Sequence, residues 1–358
     1  MTQEASSAYA AAGVDIEAGD RAVQLMKQWV KRTERSEVIG GIGGFAGLFD
    51  ASKIARYHHP VLATSTDGVG TKVAIAQAMD THDTIGFDLM GMLVDDLVVT
   101  GAEPLWVTDY IACGKVVPER IAAIVKGIAD ACVVAGCALL GGEVAEHPGL
   151  LDAGEYDVAG ATTGVVEHDE MLGPDRVRPG DVAVAMASSG LHSNGYSLVR
   201  KVLLQDAGWA LDRDVPELGR PLGEELLEPT KVYALDVLAL IEAHEVHAMS
   251  HITGGGLANN LARVVPDGIA VTIDRSSWQP PAIFDLVGEV GQVSRGDIEA
   301  TLNQGVGMIA LMPADQADAA VALLNRRGVR SWICGEAQEA ATSGSAPSGS
   351  VRLVGDHR

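Results

Sequence analysis

Long apolar runs are missing from this chain, although hydrophobic residues make up 47% of its 358 positions. Its apolar stretches are short and broken by charge, as Lys126 and Asp130 break the segment from Ile121 to Leu140. None supplies the roughly 20 uncharged residues that a membrane span needs. The start, Met1-Thr2-Gln3-Glu4, lacks a basic stretch followed by an apolar core, so no secretory signal is expected and a cytoplasmic location follows by default. Positive charge is scarce, with 26 Lys and Arg against 48 Asp and Glu and a net charge of -22. Nucleic acid is therefore not an expected partner, because binding a polyanion needs a basic footprint that releases counterions. Any anionic ligand must instead meet local donors such as glycine loops, helix N-termini, a divalent cation or a few Lys and Arg. Cysteine is rare as well. Cys113, Cys132, Cys137 and Cys334 form no C-x-x-C pair, which speaks against structural zinc and reads as reduced core thiols. His244, His247 and His251 are close in sequence, but they straddle an expected helix end and a strand, which would scatter the three rings. No internal repeat is evident.

The length exceeds a usual single core, so two domains are expected, 1–170 and 171–338, with a Ser-, Gly-, Ala- and Pro-rich tail, 339–358, read as disordered. Ala22, Val23, Leu25, Met26, Trp29 and Val30 recur at helical spacing and leave Lys27 on another face, free to reach a ligand. Val61 to Thr66 reads as a strand, Thr84 to Thr100 as a helix closed by Gly101, Leu105 to Ala112 as a strand, and Pro118 opens a helix to about Ala135. Strands at Ala138–Leu140 and Tyr156–Val166 complete a first half of the α/β or α+β class. Turn-rich residues 167 to 180 mark a boundary. A second α/β pattern follows, with strands at Val182–Ala187, His247–Ile252, Ile269–Ile273 and Gly307–Met312 and a helix from Tyr196 to Asp206.

Four segments carry chemistry. Asp95 and Asp96 interrupt an apolar helix just before the turn Gly101-Ala102-Glu103-Pro104, and a carboxylate placed there calls for a cation or hydrogen-bond donors. Asp96 is the metal-ligand candidate, with Asp95 facing solvent or a helix partner. Gly40-Gly41-Ile42-Gly43-Gly44 is either a flexible loop or a phosphate cradle in which bare backbone N–H groups approach oxygens closely. It is neither a Walker A motif nor a Rossmann fingerprint. Asp67-Gly68-Val69-Gly70-Thr71-Lys72 combines a carboxylate, glycines, a hydroxyl and an amine, a set that fits metal-bound phosphate better than a plain turn. Glu143, in Gly141-Gly142-Glu143, adds another hard oxygen ligand of the kind magnesium prefers. Downstream, His192-Ser193-Asn194-Gly195 links a strand to a helix, where Ser193 or Asn194 is an N-cap or an anion ligand and His192 has the chemistry for proton transfer. Thr253-Gly254-Gly255-Gly256 offers a similar anion-accepting turn. Together these point to an enzyme that uses a nucleoside triphosphate.

In order along the chain, these residues resemble the phosphoribosylformylglycinamidine cyclo-ligase (aminoimidazole ribonucleotide synthetase) family. Asp96 to Pro104 fits the D-x4-G-A-x-P signature of a wider ATP-using superfamily. The match begins with the run from Tyr9 to Ile16 and continues through His82 to Gly86, and the Ala12-Gly13-Val14-Asp15-Ile16 run, Gly141 to Glu146, His192 to Arg200 and Asn303 to Met308 select the cyclo-ligase. Val144, His147, Leu257, Asn259 and the segment Glu299 to Leu302 depart from the family pattern. The absence of any cysteine before Cys113 separates the chain from selenophosphate synthetase.

The resemblance implies a two-domain fold whose N-terminal mixed sheet forms a shared barrel in a homodimer, with a C-terminal α/β domain behind. It implies ATP-dependent ring closure of formylglycinamidine ribonucleotide, with Mg2+ as cofactor and K+ as a further cation. In the roles it implies, Asp67, Asp96 and Glu143 hold metal, and Gly40, Gly41, Gly43, Gly44, Gly68, Gly70, Thr71 and Lys72 join Asp67 in binding ATP. Lys27 offsets charge on the transferred phosphoryl group, His192 acts on the intermediate, and Ser193, Asn194, Gly254, Gly255 and Gly256 bind substrate.

Overall fold

A computed structural model describes residues 15–41, 43–340 and 349–357. Most of the Tyr9–Ile16 run, Ile42 of the glycine loop and residues 341–348 and 358 of the Ser/Gly/Ala/Pro-rich tail lie outside the described residues.

The first helix, α1 (Ile16–Lys31), starts where the Asp15 side chain accepts from the Ala18 N–H at 3.0 Å, and buries Ala22 and Met26. After a small antiparallel pairing of Val38–Ile39 with Leu48–Phe49 comes β1 (Pro60–Gly68). Then follow α2 (Val73–Met79), α3 (Ile85–Val98), β2 (Glu103–Cys113), α4 (Pro118–Ala135), β3 (Ala138–Glu146) and β4 (Tyr156–Glu167). Pro118 fits the first turn of α4 because its missing N–H has no partner there anyway, and Gly136 closes that helix in the left-handed region. The four strands lie in the order β1-β4-β2-β3, antiparallel except for the parallel β2–β3 pair. Helix α3 lies across β1 and β4, and α4 packs between α3 and α1. Alternate residues of β2, from Leu105 through Val107, Asp109 and Ile111 to Cys113, point into this helix-covered face and are buried. The other face is open and exposes Leu62 and Tyr110.

The second half is built on a six-stranded sheet. Its strands are β5 (Asp181–Ala187), β6 (Ala248–His251), β7 (Ile269–Asp274), β8 (Val306–Pro313), β9 (Ser331–Glu339) and β10 (Ser350–Val354), in the order β6-β8-β5-β9-β7-β10. Helices α5 (Tyr196–Val199, continued by a π-helical turn to Asp206), α6 (Ala234–Ala243), α7 (Gly256–Ala262), α8 (Ala282–Gly291) and α9 (Ala314–Arg326) surround it. Val184 and Met186 point into an apolar core continuous with that of the first half, whereas Ala183 and Ala185 point into a second core with Ile252, Leu257, Val271 and Trp278. One core thus runs through both halves, with α6 packed on α3 and α4. The tail reading needs correction at its end: Ser350–Val354 pairs in parallel with Ile269–Asp274, since Val351 and Leu353 add apolar contacts to an exposed sheet edge. Among the described residues, no helix is long and apolar enough to cross a membrane.

Candidate functional site

The glycine segments converge on one cavity. Gly41, Gly43 and Gly44 face Gly141, Gly142 and Glu143 across a cavity of about 520 Å3 at the β3 edge, beside α1. Its apolar lining comes from Ala22, Val23, Met26 and Val30 of α1 and from Leu139 and Leu140 of β3. Lys27 lies in an adjoining hollow that shares Val30, Gly41, Leu139 and Leu140, and its exposed ammonium donates to Gln24 at 3.2 Å. Gly40 takes φ +88 at the start of the loop.

One carboxyl inside this cavity was not singled out from the sequence. Asp109 is 9% exposed and has no ion-pair partner among the described residues; burial pushes its carboxyl up to about 7. It fits only because residue 142 is glycine: a Cβ there would stand 2.1 Å from Asp109 Oδ1. The available signal was a lone acid on the buried side of the alternating strand Leu105–Cys113, a costly placement unless it serves a ligand.

Strand register orders the remaining candidates. Gly142 pairs with Asp109, Asp109 with Gly160, and Gly160 with Asp67, so these four positions form a row across the sheet. Asp67 is exposed, with the Gly68 N–H donating to its Oδ1 at 2.7 Å, and the chain turns on through Gly70 at φ +72. There it meets the second half, where Ser193 Oγ donates to the Val69 carbonyl at 2.7 Å and Thr71 Oγ1 lies 3.3 Å from Ser197 Oγ.

The remaining candidates meet where the two halves touch. His251 Nδ1 donates to Asp96 Oδ1 at 2.8 Å; the histidine side chain is 1% exposed and the aspartate side chain 44%. Asn194 sits beside Gly254, whose Cβ position would be 3.3 Å from Asn194 Oδ1. Gly255 and Gly256 turn at φ +100 and +73, and a Cβ on Gly256 would lie 1.7 Å from the Glu299 carbonyl, so the divergent segment after Glu299 packs directly on this turn. His251, passed over in the sequence, was marked only by its place just ahead of the glycine turn.

Three expectations need correction. Lys72 does not cradle phosphate here: it is fully buried, and Nζ donates to Asp88 Oδ1 (2.7 Å) and to the carbonyls of His192 (3.0 Å) and Glu228 (2.6 Å). Burial lowers the Lys72 amine and raises the Asp88 carboxyl, each opposed by the attraction of its partner. His192 is not a proton carrier near neutrality. It is 2% exposed, and burial, reinforced by the charges of His251, Lys72 and Lys231, lowers it well below the usual histidine range. Its Nε2 accepts from the Ser189 N–H at 3.1 Å, which leaves the proton on Nδ1. Asp95, expected to face solvent or a helix partner, is buried and has the helix partner. Its Oδ1 accepts from the Tyr233 N–H at 2.9 Å at the start of α6, and burial raises its carboxyl. Asp67, Asp96 and Glu143 do not form one metal site, and among the described residues no group of three His, Cys, Asp or Glu side chains is placed to hold an ion. Asp67 and Glu143 sit on the two edge strands, about 14 Å apart at ~4.8 Å per strand, and Glu143 pairs with Tyr110 on the other face. Ligands at about 2.1 Å from one magnesium ion cannot span that gap.

Comparison with known proteins agrees with this architecture. The N-terminal domain of AIR synthase related proteins matches residues 50–166 and their C-terminal domain matches 178–345. The phosphoribosylformylglycinamidine cyclo-ligase of Geobacillus sp. (strain WCH70) is 49% identical over 334 residues, covering 93% of this chain and 96% of that protein. The one from Shouchella clausii (strain KSM-K16) is 51% identical over 330 residues, covering 92% and 95%. Among solved structures, thiamine-monophosphate kinase from Stenotrophomonas maltophilia K279a superposes with a TM-score of 0.67 at 20% identity, covering 93% of this chain and 96% of that one. Hydrogenase maturation protein HypE in complex with ATP superposes with a TM-score of 0.63 at 18% identity, covering 94% and 90%. These two likenesses are of fold alone. With half of its residues shared along nearly the whole length, the chain belongs to the phosphoribosylformylglycinamidine cyclo-ligase family, enzymes that form a C–N bond.

Proposed function

We propose that the chain converts formylglycinamidine ribonucleotide and ATP to aminoimidazole ribonucleotide, ADP and phosphate in de novo purine biosynthesis. The observation that carries this reading is the cavity of about 520 Å3 in which two glycine segments face each other over apolar walls, a size and lining suited to a nucleotide. ATP lies in this cavity, its base against the apolar α1 wall and its phosphates at the bare backbone of Gly41, Gly43 and Gly44. The ribonucleotide lies at Asn194, Gly254 and the Asp96–His251 pair. Lys27, at the rim, offsets phosphate charge. Asp96 would hold magnesium carried by the triphosphate, and the ion would supply charge neutralisation at the phosphates.

The chemistry divides into two steps. An amide oxygen is a poor leaving group, so the formyl oxygen first takes the γ-phosphoryl group, releasing ADP. The amidine nitrogen of the same molecule then attacks that carbon and phosphate departs, and because both groups share one molecule the ring closes at little entropic cost. His192 stays neutral and serves through position, its carbonyl fixed by Lys72.

We also propose a cytoplasmic homodimer. The open sheet face exposes Leu62 and Tyr110 and the arm exposes Ile39, Phe45 and Leu48, large apolar side chains that a second copy would cover. Release of ADP that depends on formylglycinamidine ribonucleotide tests the activity. Asp96→Asn should cut that release by orders of magnitude with the fold intact, and near-normal turnover would remove Asp96 from the site. Phosphate retained on the organic product would instead indicate a kinase.

A further inference from the structure

The cavity is polar in an uneven way. Bare backbone from Gly41, Gly43 and Gly44 lines one side, where N–H donors suit phosphate, and the only acid pointing in from the buried sheet face is Asp109, packed against Gly142 and flanked by apolar α1 residues. A carboxyl there repels phosphate, and among the described residues the donor that meets it is its own backbone N–H, so a donor on a ligand would offset its burial. Met26, Val30 and Leu139 line the same cavity as Asp109 and offer an aromatic ring apolar walls beside that carboxyl. We infer that Asp109 reads the purine base, accepting a hydrogen bond from the 6-amino group of adenine and rejecting bases with an oxygen at that position. This rests on the cavity being the nucleotide site. Its burial-raised carboxyl, at about 7, fits an acid held ready for a donor.

ITP is the sharp probe, since it replaces the 6-amino donor by an oxygen acceptor and carries its donor at N1 instead, away from position 6. Dissociation constants of ATP and ITP, measured by titration calorimetry at pH 8, where the Asp109 carboxyl is ionised, read the preference without turnover. KM values for both from nucleoside diphosphate release give a second readout. The wild type should favour ATP by about 10- to 100-fold, the usual worth of one hydrogen bond to a charged group. Asp109→Asn is isosteric and its amide pairs with either base by flipping, so the preference should fall to within about threefold while melting temperature holds or rises. Asp109→Ala, with neither donor nor acceptor, should lose the preference the same way. No preference in the wild type, or an unchanged preference in folded Asp109→Asn, overturns the inference. If the ribonucleotide elicits no ADP release while the binding preference shifts as stated, the proposed reaction fails and the base-reading role stands.

Discussion

Replacing Asp88 by Ala should strip a fully buried ammonium of its partner carboxylate. Lys72 and Asp88 each have 0% of their side-chain surface exposed and stand 2.7 Å apart. The same Asp88 Oδ1 also accepts from the Thr230 N–H at 3.0 Å and the Thr230 hydroxyl at 2.6 Å, so α3 and the loop before α6 are fastened through this one oxygen. Breaking one side of a buried pair costs about 3–5 kcal/mol, mostly as the penalty of the charge left behind. With about 2.1 cal/mol/K of unfolding entropy per residue over 358 residues, cooperative unfolding has an entropy of about 0.75 kcal/mol/K. The melting temperature should therefore drop by about 4–7 °C. Lys72→Met combined with Asp88→Asn removes both charges and keeps an acceptor for Thr230, and should recover more than half of that loss. Differential scanning calorimetry of the two single variants and the double variant, alongside the KM for ATP, decides the matter. A folded Lys72→Met enzyme with unchanged melting temperature and a KM for ATP raised 100-fold would refute the structural role and return Lys72 to the phosphates.

Two further outcomes are expected. Glu37 is held down at about 2 by the Lys53 ammonium 2.9 Å away, against the opposing effect of burial. A depressed folded-state value means that its contribution is present above the ordinary 4.5 and is lost as pH falls from there toward 2, so Glu37→Gln should flatten that part of an acid-unfolding curve followed by circular dichroism. Leu62 is 60% exposed on the open sheet face, and Leu62→Asp should convert a dimer to a monomer in light scattering after gel filtration. A wild-type monomer at micromolar concentration would end the dimer proposal.

Much of the fold was legible because local rules and tertiary packing agree. Helical spacing from Ala22 to Val30 sits within Ile16–Lys31, and Pro118 and Gly136 bound the helix Pro118–Ala135 as their backbone preferences require. Strands Asp181–Ala187 and Val306–Pro313 show in sequence as short apolar runs because both of their faces are covered. The strand Ser331–Glu339 was missed, since Cys334, Gly335 and three polar residues interrupt any alternation, and the strand Ser350–Val354 was hidden behind a polar, glycine-rich approach.

By itself the sequence determined where turns, glycine loops and carboxylates lie, and which family they belong to, because those depend on residue type and spacing. Only the tertiary structure decided which charges are free. Asp95 and Asp96 are neighbours, yet a helix turns successive residues by about 100°, so one caps α6 from within the core while the other meets His251 where the halves touch. Lys72 has the composition of a phosphate ligand, but its chain direction aims it into the seam between the halves, where three acceptors already consume its donors. Asp109 acquires its place from strand register and the missing side chain of Gly142, contacts set by residues 33 positions apart that no local pattern encodes.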